Sequence, residues 1–192
     1  MVTAVDTGGR TDSRRDLTVA VIGAPCDVAA GLRGASLGPE AIRIAGLAHR
    51  LHGLGHTVRD HGDLSGPRNP EQPAVEGYRH LPEAMTWCRT IRDAVAAALD
   101  GDEFPLLLGG DHSIAVGSIA AVARHCAQRD MPLSVLWLDA HADFNTATTS
   151  PSGNIHGMPV ATVCGRGHPD LMELGPAVPM VEPTQVFQVG VR

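Results

Sequence analysis

The sequence contains no lysine: all 15 of its basic residues are arginines. A lysine Schiff base and a P-loop lysine are therefore both excluded within these 192 residues. Basic charge is also scarce against acidic charge. The formal net charge of −6 argues against a general nucleic-acid binder, which carries a basic patch. Long apolar runs are missing too, since no stretch reaches the roughly 18 apolar residues of a membrane span. The opening segment, Met1 to Asp16, lacks the apolar core of a signal peptide. A disordered lead-in over residues 1–16 and a cytoplasmic location are the expectations that follow. Paired cysteines are absent as well. Cys26, Cys88, Cys126 and Cys164 lie far apart in no metal-binding spacing. Each sits among apolar or small residues, as buried reduced thiols do.

What is present is the composition of an ordinary globular chain, 43% hydrophobic and 19% charged. The length suffices for one domain with a real core. No internal repeat, low-complexity tract or domain boundary interrupts it. Leu17 to Gly23 is a short apolar run rich in β-branched residues, as a buried parallel strand is. Pro39 to Leu51 reads as a helix, with proline near its first turn and Gly53 beyond its end. A weaker strand covers Thr57 to Asp60, and Gly62 to Arg79 reads as loop. Met85, Cys88, Ile91, Val95 and Leu99 recur at helical spacing within a helix from Pro82 to Leu99. Phe104–Leu108 and Leu133–Leu138 read as buried strands, with a helix between them from Ser113 to Arg129. A short helix near Met158–Cys164, a proline-rich stretch and a strand at Val186–Val191 complete the pattern. The alternation implies an α/β fold with a mainly parallel sheet covered on both faces. In such sheets reactive residues gather at the carboxyl ends of the strands.

Two loops at such ends stand out. Gly109-Gly110-Asp111-His112-Ser113 follows the Phe104 strand, and Asp139-Ala140-His141-Ala142-Asp143 follows the Leu133 strand. In extended backbone alternate side chains share a direction, so Asp139, His141 and Asp143 converge if the strand conformation persists. A neighbouring strand brings His112 to the same place. Two imidazoles and two carboxylates suit a hard-to-intermediate divalent ion such as manganese. The lack of a nearby cysteine argues against structural zinc. Asp-x-His-x-Asp alone reads equally well as a surface turn. Two carboxylates at the end of so apolar a strand favour the metal, because unpaired buried charge is costly. The run from Asn145 to His156 is dense in hydroxyl and amide groups. Elsewhere it would be a solvated loop; beside a metal it suits a polar substrate held by neutral hydrogen bonds. His156 suits a proton carrier, because histidine titrates near neutrality.

The motifs GGDHS, DAHAD and SGNIHGMP, in this order and near this spacing, resemble the signature of the ureohydrolase (arginase/agmatinase) family, arginases most closely. Gly23-Ala24-Pro25, Gly34 and Gly38 to Arg43 resemble that family's N-terminal loop and first helix. The resemblance runs from about Leu17 to the last residue. It implies a three-layer α-β-α fold and hydrolysis of the L-arginine guanidinium group to urea and L-ornithine by a metal-bridging hydroxide. It also implies two manganese ions: His112 on one, His141 on the other, Asp139 bridging both, and Asp143 on the first and facing the hydroxide. His156 would carry the proton, and Asn145, Ser150 and Ser152 would contact the α-carboxylate of the amino acid. That polar run separates an arginase from an agmatinase, whose substrate has no carboxylate. The implied partners are a small guanidino substrate and further copies of the chain, as a trimer or hexamer, with no nucleic acid and no membrane.

The family pattern also contains a Ser-x-Asp-x-Asp segment that completes the metal shell, and later a substrate-binding Glu. Neither has a counterpart here. Residues 17–192 are therefore expected to be the N-terminal part of a single ureohydrolase domain. Its C-terminal strands and helices would be missing, and the sheet would keep an unpaired edge. Two divalent ions bring four positive charges against three negative ones from Asp139, Asp143 and a hydroxide. The chain by itself is on this count expected to be inactive. The alternatives are another ureohydrolase (agmatinase, formimidoylglutamase or a guanidino-acid amidinohydrolase) or a truncated non-catalytic pseudoenzyme.

Overall fold

The computed structural model describes residues 16–192. The expected lead-in, residues 1–16, lies outside the described residues except for Asp16. Strand β1 (Thr18–Ala24) is central, flanked by β2 (Thr57–Asp63) and β3 (Phe104–Gly109), all parallel. Its side chains alternate between two cores. Val19 and Val21 join Leu108 and pack against Leu47 and Leu51 of helix α2 (Leu47–Gly53). Ala20 and Ile22 point the other way, into the main core with Cys88, Ile91 and Val95 of helix α3 (Leu81–Asp100). This period-two switch is why the run is apolar throughout, and it makes the unit three layers thick. Ile91 has no exposed surface, and burying such a side chain contributes about 2 kcal/mol. Helix α4 (Ile114–Ala127) packs beside α3 in the main core through Val116, Ala120 and Ala121.

The order β2-β1-β3 has a consequence for the site. The chain leaves β1 through α1 (Gly38–Ile44) and α2 on one face, but leaves β3 through α4 on the other. The carboxyl ends of β1 and β3 thus mark a topological switch point, and a crevice opens beside it, lined by the loops after β3 and β4. Arg43 of α1 closes the outer side with bonds to Asp60 at 2.8 Å and to Asp63, both on β2.

The remaining elements depart from expectation in three ways. First, the helix expected over 39–51 is broken in two: Gly46 adopts φ 89° between α1 and α2. Second, the parallel sheet is in two hydrogen-bonded parts. Strands β4 (Val135–Leu138) and β5 (Val186–Val189) pair with each other in parallel and not with β3. An apolar cavity of about 310 Å³, lined by Leu107, Val122, Leu133 and Val135, lies where β3 and β4 fail to meet. Third, only one face of β4–β5 is covered. Trp137 points into the main core, whereas Leu136, Leu138, Phe187 and Val189 are exposed. Helices α5 (Pro159–Val163) and α6 (Pro169–Met172) follow the polar run, the second within the stretch expected only to be proline-rich.

A side chain at Gly46 would meet nothing within 4 Å, so its cost is the left-handed backbone alone. Gly46→Ala should destabilise the chain by about 1 kcal/mol, read as a lower denaturant midpoint. A midpoint that stays or rises would mean that α1 and α2 fuse readily into the single expected helix.

Candidate metal centre

The crevice is built from the backbone outward. Gly110, just past β3, runs so close to the β1 loop that a Cβ there would lie 2.4 Å from the Cys26 carbonyl and 2.7 Å from that of Ala24. Glycine alone permits this contact, which carries the loop across and presents His112 at the mouth of the crevice. The His112 imidazole stacks on the indole of Trp137, with ring centroids 4.2 Å apart and planes 23° from parallel. Trp137 is the inward residue of β4, so one strand supplies both the platform and, two residues on, Asp139.

His112 Nδ1 lies 2.9 Å from Asp139 Oδ2 and 3.0 Å from Asp143 Oδ2. Ligand atoms of these three residues all fall within 4.8 Å of one another. The route to this convergence differs from strand alternation. β4 ends at Leu138, and Asp143 sits in left-handed backbone with φ 46°. A turn, rather than an extended run, folds Asp143 back toward Asp139. The Asp143 carbonyl accepts the Val160 N–H at 3.0 Å at the start of α5, and the Asp139 N–H donates to the Val189 carbonyl at 3.1 Å. His141 stands apart from the tight group. Its side chain is 74% exposed, with Nδ1 3.5 Å from Asp139 Oδ1, which also accepts the His141 N–H at 3.0 Å.

Charge follows this geometry. The hydrogen bond to Asp143 raises the His112 pKa above its ordinary value against the opposing effect of burial, and the charges of Asp143 and Asp139 add to it. The His141 backbone N–H lowers that of Asp139, with the His112 charge adding. Among the described residues neither carboxylate pairs with an arginine. Oxygen and imidazole donors this close, without a thiolate, fit a divalent cation such as manganese or magnesium.

The wall opposite is the polar run. Asn145, Ser150, Ser152 and His156 line one cavity of about 610 Å³ together with His112, Asp139, His141 and Asp143. All of the site residues read from the motifs therefore meet. Ser150 Oγ accepts the Gly153 N–H at 3.0 Å, and Ser152 Oγ accepts the Asn154 N–H at 3.2 Å. Each hydroxyl keeps its own proton free to donate outward. Asn145 Oδ1 accepts from Thr149 at 3.2 Å, which leaves its amide N–H groups as donors. The cavity is thus lined with donors, as an anionic group requires. The lining also includes Phe144, Asn154 and Arg192, which are not among the candidate site residues read from sequence. Asn154 lies within the recognised polar run, which was its available signal. Phe144 carried none beyond its neighbours, while Arg192 closes a Gly-hydrophobic-Arg run, Gly190 to Arg192, that resembles the family's pattern.

Parallel strands with a carboxylate–imidazole cluster in the loops after β3 and β4 define the class: an α/β protein with a candidate metal site at the strand ends. The Arginase family model matches residues 17–192. The arginase of Bacillus subtilis is 43% identical over 178 residues, 92% of this chain and 58% of that protein. A crystal structure of arginase from B. subtilis superposes with a TM-score of 0.82 at 41% identity, covering 91% of this chain and 57% of that one. An arginase from Entamoeba histolytica, solved in complex with L-ornithine, gives 0.83 at 32% identity, covering 92% and 59%. The chain belongs to the arginase family, and it spans somewhat under three-fifths of the length of these relatives.

A metal ion must displace the His112 proton, which the two carboxylates hold on more firmly than usual. Manganese affinity should therefore rise with pH, by about tenfold per unit, until His112 is neutral, and be lost as pH falls. Calorimetric titration between about pH 6 and 8 reads this slope. A flat profile would remove His112 from the ligand set.

Proposed function

We propose that the protein acts as an arginase-type hydrolase, cleaving the guanidinium group of L-arginine to urea and L-ornithine with manganese. The observation that carries this reading is that all eight candidate site residues line one cavity, which holds both the carboxylates and the hydroxyl and amide donors. His112, Asp139 and Asp143 would hold one ion, and Asp139 with His141 would contribute to a second. A guanidinium carbon is stabilised by resonance and resists neutral water. The metal's chemistry is to acidify water to a pKa of about 7, so that a nucleophile exists at physiological pH.

The chain's own residues do the rest. Asp143, held by the Val160 N–H, faces the reacting carbon and orients the attacking water. His156, on the opposite side of the cavity, delivers a proton to the departing amine. Ser150, Ser152 and Asn145 donate to the substrate α-carboxylate, and Asn154 lines the same wall. The ornithine complex of the E. histolytica relative supports an amino-acid occupant. Assembly into a homo-oligomer, a trimer or hexamer, and a cytoplasmic location belong to the same proposal. No helix among the described residues is long and apolar enough to cross a membrane.

A second reading, a non-catalytic metal-binding chain, is favoured by one observation. The four side chains His112, Asp139, His141 and Asp143 supply only two formal negative charges for two divalent ions. The deciding assay is urea release from L-arginine and from agmatine at saturating manganese, with bound metal counted after dialysis. Urea from arginine, at least about tenfold faster than from agmatine and abolished by chelation, is the expected result. Preference for agmatine would transfer the proposal to an agmatinase. Bound manganese with no urea from either compound would establish the second reading, and no bound manganese would remove both.

A further inference from the structure

One buried carboxyl group joins two loops, and the proposed reaction leaves it without a role. Asp111 is 5% exposed. Its Oδ2 accepts the Ala29 N–H at 2.9 Å and the Cys26 thiol at 3.8 Å. Its Oδ1 accepts the Ser113 N–H at 3.0 Å and the Ser113 hydroxyl. Its own N–H donates to the Cys26 carbonyl at 2.8 Å. Ala29 passes the connection on, because its carbonyl accepts the His156 N–H at 3.4 Å. The loop after β1 and the loop that carries His112 therefore meet at one side chain, and the turn that carries His156 is tied to that joint through Ala29.

The joint is rigid. Cys26, Ala29 and Ser113 have no exposed surface. Burial, and after it the charge of Asp111, keeps the Cys26 thiol protonated and so a donor. Cys88 closes the layer beneath, donating to the Ser113 carbonyl at 3.5 Å. A local turn at the start of α4 would need only the bonds to Ser113. The bond to Ala29 crosses the switch point and is unexplained by such a turn.

From these bonds we infer that Asp111 is a positioning residue, which sets the direction of His112 toward Asp139 and Asp143 and the reach of His156 toward the same point. It touches neither metal nor substrate. It acts through backbone: directly on its neighbour His112, and through Ala29 on His156. Groups that orient a ligand from behind typically change metal affinity about 10- to 100-fold when altered.

The inference rests on the metal-dependent reading above, so its test reads the site both without and with the ion. Asp111→Asn keeps the size of the side chain but turns an amide N–H₂ toward donors. In the metal-free chain the imidazole NMR signals of His112 and His156 should move, while that of exposed His49 on α2 stays in place. Manganese affinity should fall about 10- to 100-fold. Ser113→Ala, which removes one donor and leaves the Ala29 bond, should move His112 but not His156. This second variant decides the matter if Asp111→Asn fails to fold. Unmoved His112 and His156 signals, an equal movement of His49, or unchanged manganese affinity would each overturn the assignment. If the unaltered chain binds no manganese, the metal reading falls and the metal-free signals alone decide the role of Asp111.

Discussion

Two carboxyl groups held against one imidazole nitrogen set the condition that the surrounding structure must meet. Like charges about 4 Å apart repel by roughly 1 kcal/mol in water and several times that near a protein surface. Asp139 and Asp143 are held together in part because their backbones are anchored independently. Asp139 is tied to β5 through the Val189 carbonyl, and Asp143 to the start of α5 through the Val160 N–H. The imidazole between them relieves the repulsion through its raised pKa. A divalent cation at the same point would relieve it more fully, which is why the arrangement suits a metal better than a proton.

The fold supplies these anchors through one topological feature. The chain leaves β1 and β3 toward opposite faces, and the crevice beside that switch point is lined by the loops after β3 and β4. Gly110 lets the loops after β1 and β3 touch, and the Asp111 carboxyl group joins them there. Trp137 then acts in two places, as core residue on β4 and as the surface on which His112 lies. Core packing and site geometry are thus the same contacts. A change at Trp137 would cost the core and the site together.

Much of this was legible from the residues in order. The strand and helix alternation, the mainly parallel sheet and the loops that carry His112, Asp139, His141 and Asp143 follow from apolar period and from where charge interrupts it. Boundaries were legible to within a few residues, as at β3 and α3. The break at Gly46 was not, because a single glycine within helical spacing is compatible with a continuous helix. Nor was the separation of β4–β5 from β3. An apolar strand states that it is buried or paired without naming its neighbour, and two apolar residues on each of β4 and β5 turn out to be exposed.

What the sequence by itself determined is the set of donors: carboxylates and imidazoles of the kind that suit a divalent ion, a run dense in hydroxyl and amide groups, and no lysine for a Schiff base or a P-loop. Those are properties of side chains and survive any folding. The tertiary structure decided which of them meet and how. It placed Asp143 beside Asp139 by a left-handed turn rather than by strand alternation, and left His141 out of the tight group. It also gave Asp111 its place between two loops. The physical reason is that such contacts join residues far apart in the chain, and their distances are set by packing of the whole sheet rather than by local spacing.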